Sequence, residues 1–281
     1  MAELSIANAV PVGTRMSERF GRVGNVATGA AVLAALLGLW QVAGANKWVD
    51  DGLLPSFTDV AAQFWLRWTE PSLLDSTFFR ESLTTLRHLL VGFAITLLLG
   101  VMLGIVIGYW HSIGDRFGLT LDLLRYMPAA AAVPAFLLFM GPGDMTVIAV
   151  VIFGGIWPVL LNTMDAVRGS DRILLEVGQI YRLRRLQQIR KILLPAITPQ
   201  VFAGARVALS IGILLAIVGE YLGGGSGLGN FILLAQRQFQ MKELYAGILL
   251  LGLMGIALNG LFVLVERQVL RWYIGKLAVH S

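Results

Sequence analysis

The sequence predicts an all-α polytopic membrane protein. It has six transmembrane helices and a strongly basic, helical cytoplasmic segment between the fourth and fifth. Three observations carry this. Of 281 residues, 57% are hydrophobic and only 14% charged, whereas soluble domains run near a quarter charged. The apolar residues gather in blocks long enough to cross a hydrocarbon core of about 30 Å. Between two such blocks lies one long polar island, Val167–Pro199, with seven cations: Arg168, Arg172, Arg182, Arg184, Arg185, Arg190 and Lys191.

Met1–Gly24 is mixed and polar, with Arg15, Arg19 and Arg22 close to the first apolar run. A secretory signal would place a short apolar core and a small-residue cleavage site there, so residues 1–24 read as a cytoplasmic tail. The first span, residues 25–45, carries no charge. Residues 46–88 read as an extracytoplasmic, interfacial segment with Pro55, Pro71, Trp48, Trp65 and Trp68. Within it Val60, Phe64 and Trp68 share one helical face, which suits a helix lying at headgroup depth.

A core domain, residues 89–265, begins with a second span near Leu89–Trp110. The third hydrophobic region is interrupted by Asp122 and Arg125 and carries Pro128 and Pro134. Its uncharged part, Tyr126–Met140, makes a helix of only about 22 Å, so it borrows an entry turn from Gly118–Arg125. Proline frees backbone carbonyls that need a protein or water partner, so this segment faces other helices or a cavity. Gly141–Asp144 is a turn. The fourth, fifth and sixth spans lie near Met145–Met164, Ala196–Gly219 and Leu244–Val265, with a glycine cluster, Gly223–Gly229, before the last. Residues 266–281 form a second cytoplasmic tail.

Six spans put both termini on one side. Sixteen of the 22 cations fall there, counting Arg116 and Arg125 at the second-to-third junction, and the positive-inside rule makes that side cytoplasmic. The net charge of +5 is therefore topogenic and does not point to nucleic acid. Cysteine is absent and His88, His111 and His280 are scattered, which excludes a zinc-type ligand set. The glycine cluster matches no Walker A, so the chain is expected to bind no ATP itself, and no residue pattern supports a catalytic role. Intramembrane polar groups mark Asn162, Glu220 and Asn259 as candidates for a translocation pathway, with Pro128, Pro134 and Met140 of the third region. The competing reading is structural: both asparagines bond between helices, and Glu220 caps the glycine loop.

The island reads as two short helices with a turn between them. Ile173, Leu174, Val177 and Ile180 with Tyr181 make one apolar face; Leu183, Leu186, Ile189 and Leu193 make a second. Pro195 and Pro199 restart the chain into the fifth span. From the residues alone, a connector lying on anionic lipid and a docking element for a cytoplasmic partner fit equally well.

Glu176-Val177-Gly178 followed by Ile189 and Leu193-Leu194-Pro195 resembles the EAA loop of binding-protein-dependent ABC importer permeases. In that family Glu-Ala-Ala, a glycine six residues after the glutamate and an Ile-x-Leu-Pro ending form the coupling helix that docks on the ATPase. The Glu-to-Pro spacing is kept here, but Arg182 stands where the family has its glycine. Further stretches resemble the nitrate/sulfonate/taurine branch: Leu54-Pro55-Ser56 with Val60; Ser82-Leu83 with Arg87, Gly92-Phe93, Gly100, Gly104 and Gly108; Arg125 through Pro128 with Pro134 and Phe139-Met140-Gly141; and Glu220 with Gly227-Leu228-Gly229. The resemblance covers about Pro55 to Val265.

It implies a type I ABC importer permease fold in a bacterial inner membrane. Two copies would form the pathway for a small solute, such as nitrate, a sulfonate or taurine, delivered by an extracytoplasmic binding protein. Two ATPase subunits would carry ATP-Mg, with no cofactor on this chain and lipid around it. Glu176, Val177, Gly178, Ile180, Tyr181, Arg182, Leu183, Arg184, Arg185 and Leu186 would make the ATPase contact, with Leu194 and Pro195 as tether. The alternative is a self-contained secondary transporter or channel, a class that shows internal repeats or ionisable groups deep in several spans.

Overall fold

The computed structural model describes residues 14–49, 53–69, 76–170, 181–271 and 273, and every described element is helical. By packing the chain forms two units, residues 1–62 and 63–281. The first holds α1 (Thr14–Ala45) and the start of α2 (Phe57–Thr69). Here the Trp40 indole donates to the Pro55 carbonyl at 3.1 Å and meets the Phe57 ring edge-on, and Gln41 Oε1 accepts from the Thr58 amide at 3.0 Å.

In the second unit, the later turns of α2 set Phe64 and Trp68 against Phe78 of α3 (Thr77–Tyr109), with ring centroids 5.7 and 6.2 Å apart. This is the shared face expected of an interfacial helix. The start of α3 departs from expectation. The helix begins twelve residues before the apolar run at Leu89, because Ser76 Oγ caps it by accepting from the Phe79 amide at 3.1 Å. Arg80, Glu81, Arg87 and His88 therefore lie on α3 and not in a connecting segment.

The central contact joins α3 to α6 (Asp144–Arg168). Gly92, Gly100, Gly104 and Gly108 form a row on α3, where added Cβ atoms would come within 2.6–2.8 Å of Val151, Val159, Thr163 and Val167. Thr96 fills the gap in the row, against Gly155 of α6. Each partner lies 59 positions further along the chain, from Gly92–Val151 to Gly108–Val167, so the two helices run parallel and in register. Small residues let the backbones approach where no hydrophobic force separates helix from lipid.

Parallel packing decides the third span. The chain leaves α3 at one end and must begin α6 at the other, so the intervening segment recrosses the full thickness. It does so as α4 (His111–Arg125), a 3₁₀ turn (Ala129–Ala132) and α5 (Val133–Met140), bent by 84°. Among the described residues five helices are long and apolar enough to span, and this bent pair, taken as one span, makes six. It is broken where one helix borrowing an entry turn was expected, because Met127 precedes Pro128, which disfavours helical backbone there.

The island also differs from expectation. Among the described residues, α7 (Arg185–Gln188) runs through a π turn (Ile189–Leu193) into α8 (Leu194–Gly219) as one continuous helical rod. Pro195 and Pro199 do not restart the chain. In the π turn the Leu194 amide reaches back to the Ile189 carbonyl, which makes room for Pro195 just after it. α8 runs antiparallel to α6: Gly204 lies against Pro158, and Gly219 against Val147. A π turn (Glu220–Gly224), α9 (Leu228–Arg237) and α10 (Met241–Val269) follow. α10 is buried only near its start, at Ala246, Gly247, Leu250 and Leu251.

The glycine seam makes a prediction. Gly104→Ala overpacks the α3–α6 contact and lowers the stability of the purified chain in detergent by about 1–3 kcal/mol. Gly255→Ala, at a site with nothing within 4 Å, raises it slightly through helix propensity. Unfolding midpoints of the two variants measure the difference in sign.

Candidate functional site

The first candidate region is the island. Glu176, Val177, Gly178 and Ile180 lie outside the described residues. From Tyr181 the chain turns, and Arg182 takes φ +50, in the left-handed region. That is the backbone conformation a glycine serves best, so the turn survives the arginine at a conformational cost of about 1–2 kcal/mol. Leu183 is half-buried and its carbonyl accepts from Gln188 Nε2 at 3.0 Å, while the Arg184 amide donates to Gln187 Oε1 at 3.0 Å. These bonds start the rod at Arg185. Tyr181 and Leu186 are 75% and 76% exposed, beside the exposed cations Arg182 and Arg184. The base is fixed: Leu193 and Ile197 are buried with Val167, and Tyr109, Leu194 and Val201 pack around them. Leu194 and Pro195, named above as the tether, thus lie at the helical base of the rod.

At the opposite end of α3 and α6 lies a buried polar network that the sequence reading assigned no site role, apart from Glu220. His88 is fully buried, with Nδ1 2.8 Å from Glu220 Oε1 and Nε2 2.9 Å from Asp144 Oδ1. Arg87 pairs with the other oxygen of Asp144. Glu220 Oε2 accepts from Thr85 Oγ1 and from the Gly229 amide, both at 2.9 Å. The Leu228 amide donates to Thr85 Oγ1 at 2.9 Å and the Gly227 amide to Glu81 at 2.6 Å. Glu220 therefore holds the glycine loop. Gly227 has φ +96, and a Cβ there would fall 2.2 Å from the Glu220 carboxyl carbon, so the loop closes only with glycine. Glu81, Thr85 and His88 recur every three or four residues on α3, the one sequence signal that could have found them.

The remaining pathway candidates are dispersed. Asn162 Nδ2 donates at 2.8 Å to the Pro158 carbonyl of its own helix. Asn259 lies exposed on α10; Pro128, Pro134 and Met140 are exposed on the bent third span. None of these, nor Glu220, lines the cavity at the bend. That cavity, about 450 Å³, is lined by Arg125, Tyr126, Gly154, Trp157, Pro158, Leu161 and Ile211. Its walls on α6 lie 10–17 residues from Asp144, about 15–26 Å down a helix of about 37 Å. Arg125 thus lies beside the middle of α6, and not level with its Arg168 end.

Helices parallel and antiparallel around α6, a bent third span and an exposed basic rod tip are the architecture of a multi-pass membrane transport subunit. Comparison with known proteins agrees. Residues 100–273 match the family of binding-protein-dependent transport system inner membrane components, and the chain belongs to that family, whose members are multi-pass permeases of ABC importers. It is 30% identical over 244 residues to a protein of Bacillus subtilis (strain 168) named as an aliphatic sulfonates transport permease, covering 87% of each chain. It is 28% identical over 244 residues to a nitrate import permease protein of Leptolyngbya laminosa, covering 85% of this chain and 86% of that one. It is 29% identical over 240 residues to a riboflavin transport system permease protein of Chloroflexus aurantiacus (strain ATCC 29366 / DSM 635 / J-10-fl), covering 85% and 88%. An inward-facing structure of the MetNI methionine ABC transporter superposes with a TM-score of 0.54 at 18% identity, over 75% of this chain and 97% of that chain, which shows the shared fold. The secondary-transporter alternative is not favoured.

Two outcomes follow from the geometry. Glu220→Ala leaves His88 and the glycine loop without their buried partner and destabilises the chain by about 3–5 kcal/mol in an unfolding titration. Arg182→Gly relieves the left-handed strain and stabilises the turn by about 0.5–1 kcal/mol in the same titration, whereas Arg182→Ala does not.

Proposed function

We propose that two copies of this chain form the translocation pathway of an ATP-driven importer, with the island end in the cytoplasm. Each exposed rod tip, at Tyr181 to Leu186, docks on one of two ATPase subunits, which hold ATP-Mg, and Glu176–Ile180 of the sequence motif add to that contact; this chain holds no cofactor. An extracytoplasmic binding protein delivers a small solute, by analogy with the relatives a small anion such as nitrate or a sulfonate. The opposite end, with the glycine loop, then faces the binding protein.

One observation carries this reading: an apolar tip in a basic setting stands on a base buried against α3 and α6. Closure of the ATPase pair would push the tips, and the continuous rod from Arg185 to Gly219 would pass the displacement into α8 and, through its antiparallel contact, into α6. A flexible tether would absorb that displacement.

Replacing Tyr181 by Ala and Leu186 by Asp together weakens binding of the chain to its ATPase by about 30-fold and lowers stimulated ATP hydrolysis in step. Binding is read by titration in detergent or nanodiscs. Unchanged affinity would remove the tip from the interface.

A further inference from the structure

We infer that Glu220, His88 and Asp144 form a proton-binding site. One proton beyond the single N–H of a neutral imidazole joins α3, α6 and the π turn after α8, and its loss opens the contact between His88 and Asp144. The inference is independent of the transport reading.

Each ring nitrogen of the buried His88 faces a carboxylate oxygen, Nδ1 at 2.8 Å from Glu220 Oε1 and Nε2 at 2.9 Å from Asp144 Oδ1. A neutral imidazole carries one N–H, and an ionised carboxylate only accepts. With the ring neutral and both carboxylates ionised, one of these contacts sets a lone pair against a lone pair. Both are bonds only when the trio holds one further proton. The neighbours decide where it sits. Glu220 Oε2 already accepts from Thr85 Oγ1 and from the Gly229 amide, and Arg87 pairs with Asp144 Oδ2. Both carboxyl groups are thereby held as acceptors. The proton belongs to the ring, as an imidazolium bridging two carboxylates.

The charged groups around the ring come from three elements. α3 brings Arg87 beside it and Glu81 about two turns earlier, α6 brings Asp144, and the π turn brings Glu220. The start of α9 brings only amides, with Leu228 on Thr85 and Gly229 on Glu220. With the proton in place, Arg87 and His88 face the carboxylates of Glu81, Asp144 and Glu220. Without it, Arg87 alone faces all three, and like charges repel at short range where water is excluded.

The loss falls on one arm. The Glu220 side chain is fully buried and keeps its two other donors. The Asp144 side chain is 45% exposed and keeps Arg87, so it can turn toward water with that partner. The Gly143 amide still donates to the Gly223 carbonyl at 2.9 Å, and the Gly92 row still joins α3 to α6. The opening is therefore confined to the first turn of α6, at Asp144 and Met145.

The test uses the full chain in nanodiscs with His111→Gln and His280→Gln, which leaves His88 as the one isotope-labelled histidine. At about pH 7 both ring nitrogens carry a proton; as the pH is raised one becomes bare, and its nitrogen resonance moves far downfield. The sequence has no cysteine, so a spin label on Met145→Cys, at an exposed position, reports the turn alone. Its motion increases over the pH range in which the ring loses its proton. Asp144→Asn offers an amide N–H to a bare Nε2, so the ring carries one proton throughout and the label stays flat with pH. Arg87→Gln removes the ion pair but not the carboxylate, and keeps the pH response. With the network intact, a ring with one bare nitrogen at every pH where the chain is folded overturns the site, and this outcome needs no variant of the trio. A pH response that Asp144→Asn retains also overturns it, as does a label that stays still while the ring titrates.

Discussion

The close approach of α3 to α6 is the constraint on which the rest depends. In lipid, apolar side chains gain nothing by leaving tails for one another, so association rests on contact and on hydrogen bonds. The row from Gly92 to Gly108 supplies the contact by removing every Cβ that would hold the helices apart. Its constant register makes the helices parallel, and a parallel pair needs a return crossing between its members. The bent third span is that crossing, and its break brings Arg125 beside the middle of α6. Both the topology and the cavity thus descend from one seam.

The polar network at one end and the rod at the other complete this frame. His88, Glu220 and Asp144 join α3, α6 and the loop after α8 through buried bonds at 2.8–2.9 Å. Charged groups taken from water are tolerated only when their neighbours replace it. At the other end Leu193, Ile197 and Val167 close a small apolar core. α8 is therefore gripped at both ends and against α6 in between. Under the proposed coupling, displacement at its exposed tip would pass through a stiff unit in preference to a local bend.

Much of this was legible in the sequence. Apolar blocks marked the spans, and the Phe64/Trp68 spacing marked the face of α2 that packs on Phe78. What was missed is of one kind: groups far apart in sequence whose meaning depends on pairing. Arg80 to His88 looked like connector because they are polar, yet Ser76 caps a helix there and the partners of His88 lie 56 and 132 residues away. Pro195 looked like a break because a regular α-helix cannot accept it; a π turn can. Arg182 stands where the family has its glycine, and the residue keeps the left-handed backbone a glycine would take.

Two kinds of ionisable group inside the membrane are separated by their bonding and not by their depth alone. Glu220 accepts from an imidazole, a hydroxyl and a backbone amide, which leaves it little capacity for a solute. Arg125 pairs with Asp122 and Tyr126 of its own segment at an exposed site. A closed, buried network fixes backbone; a local, exposed pair does not. Sequence alone ranks both simply as intramembrane charges. With the bonds counted, the glutamate belongs to the frame that ties α3 to the glycine loop, and the arginine stands outside it.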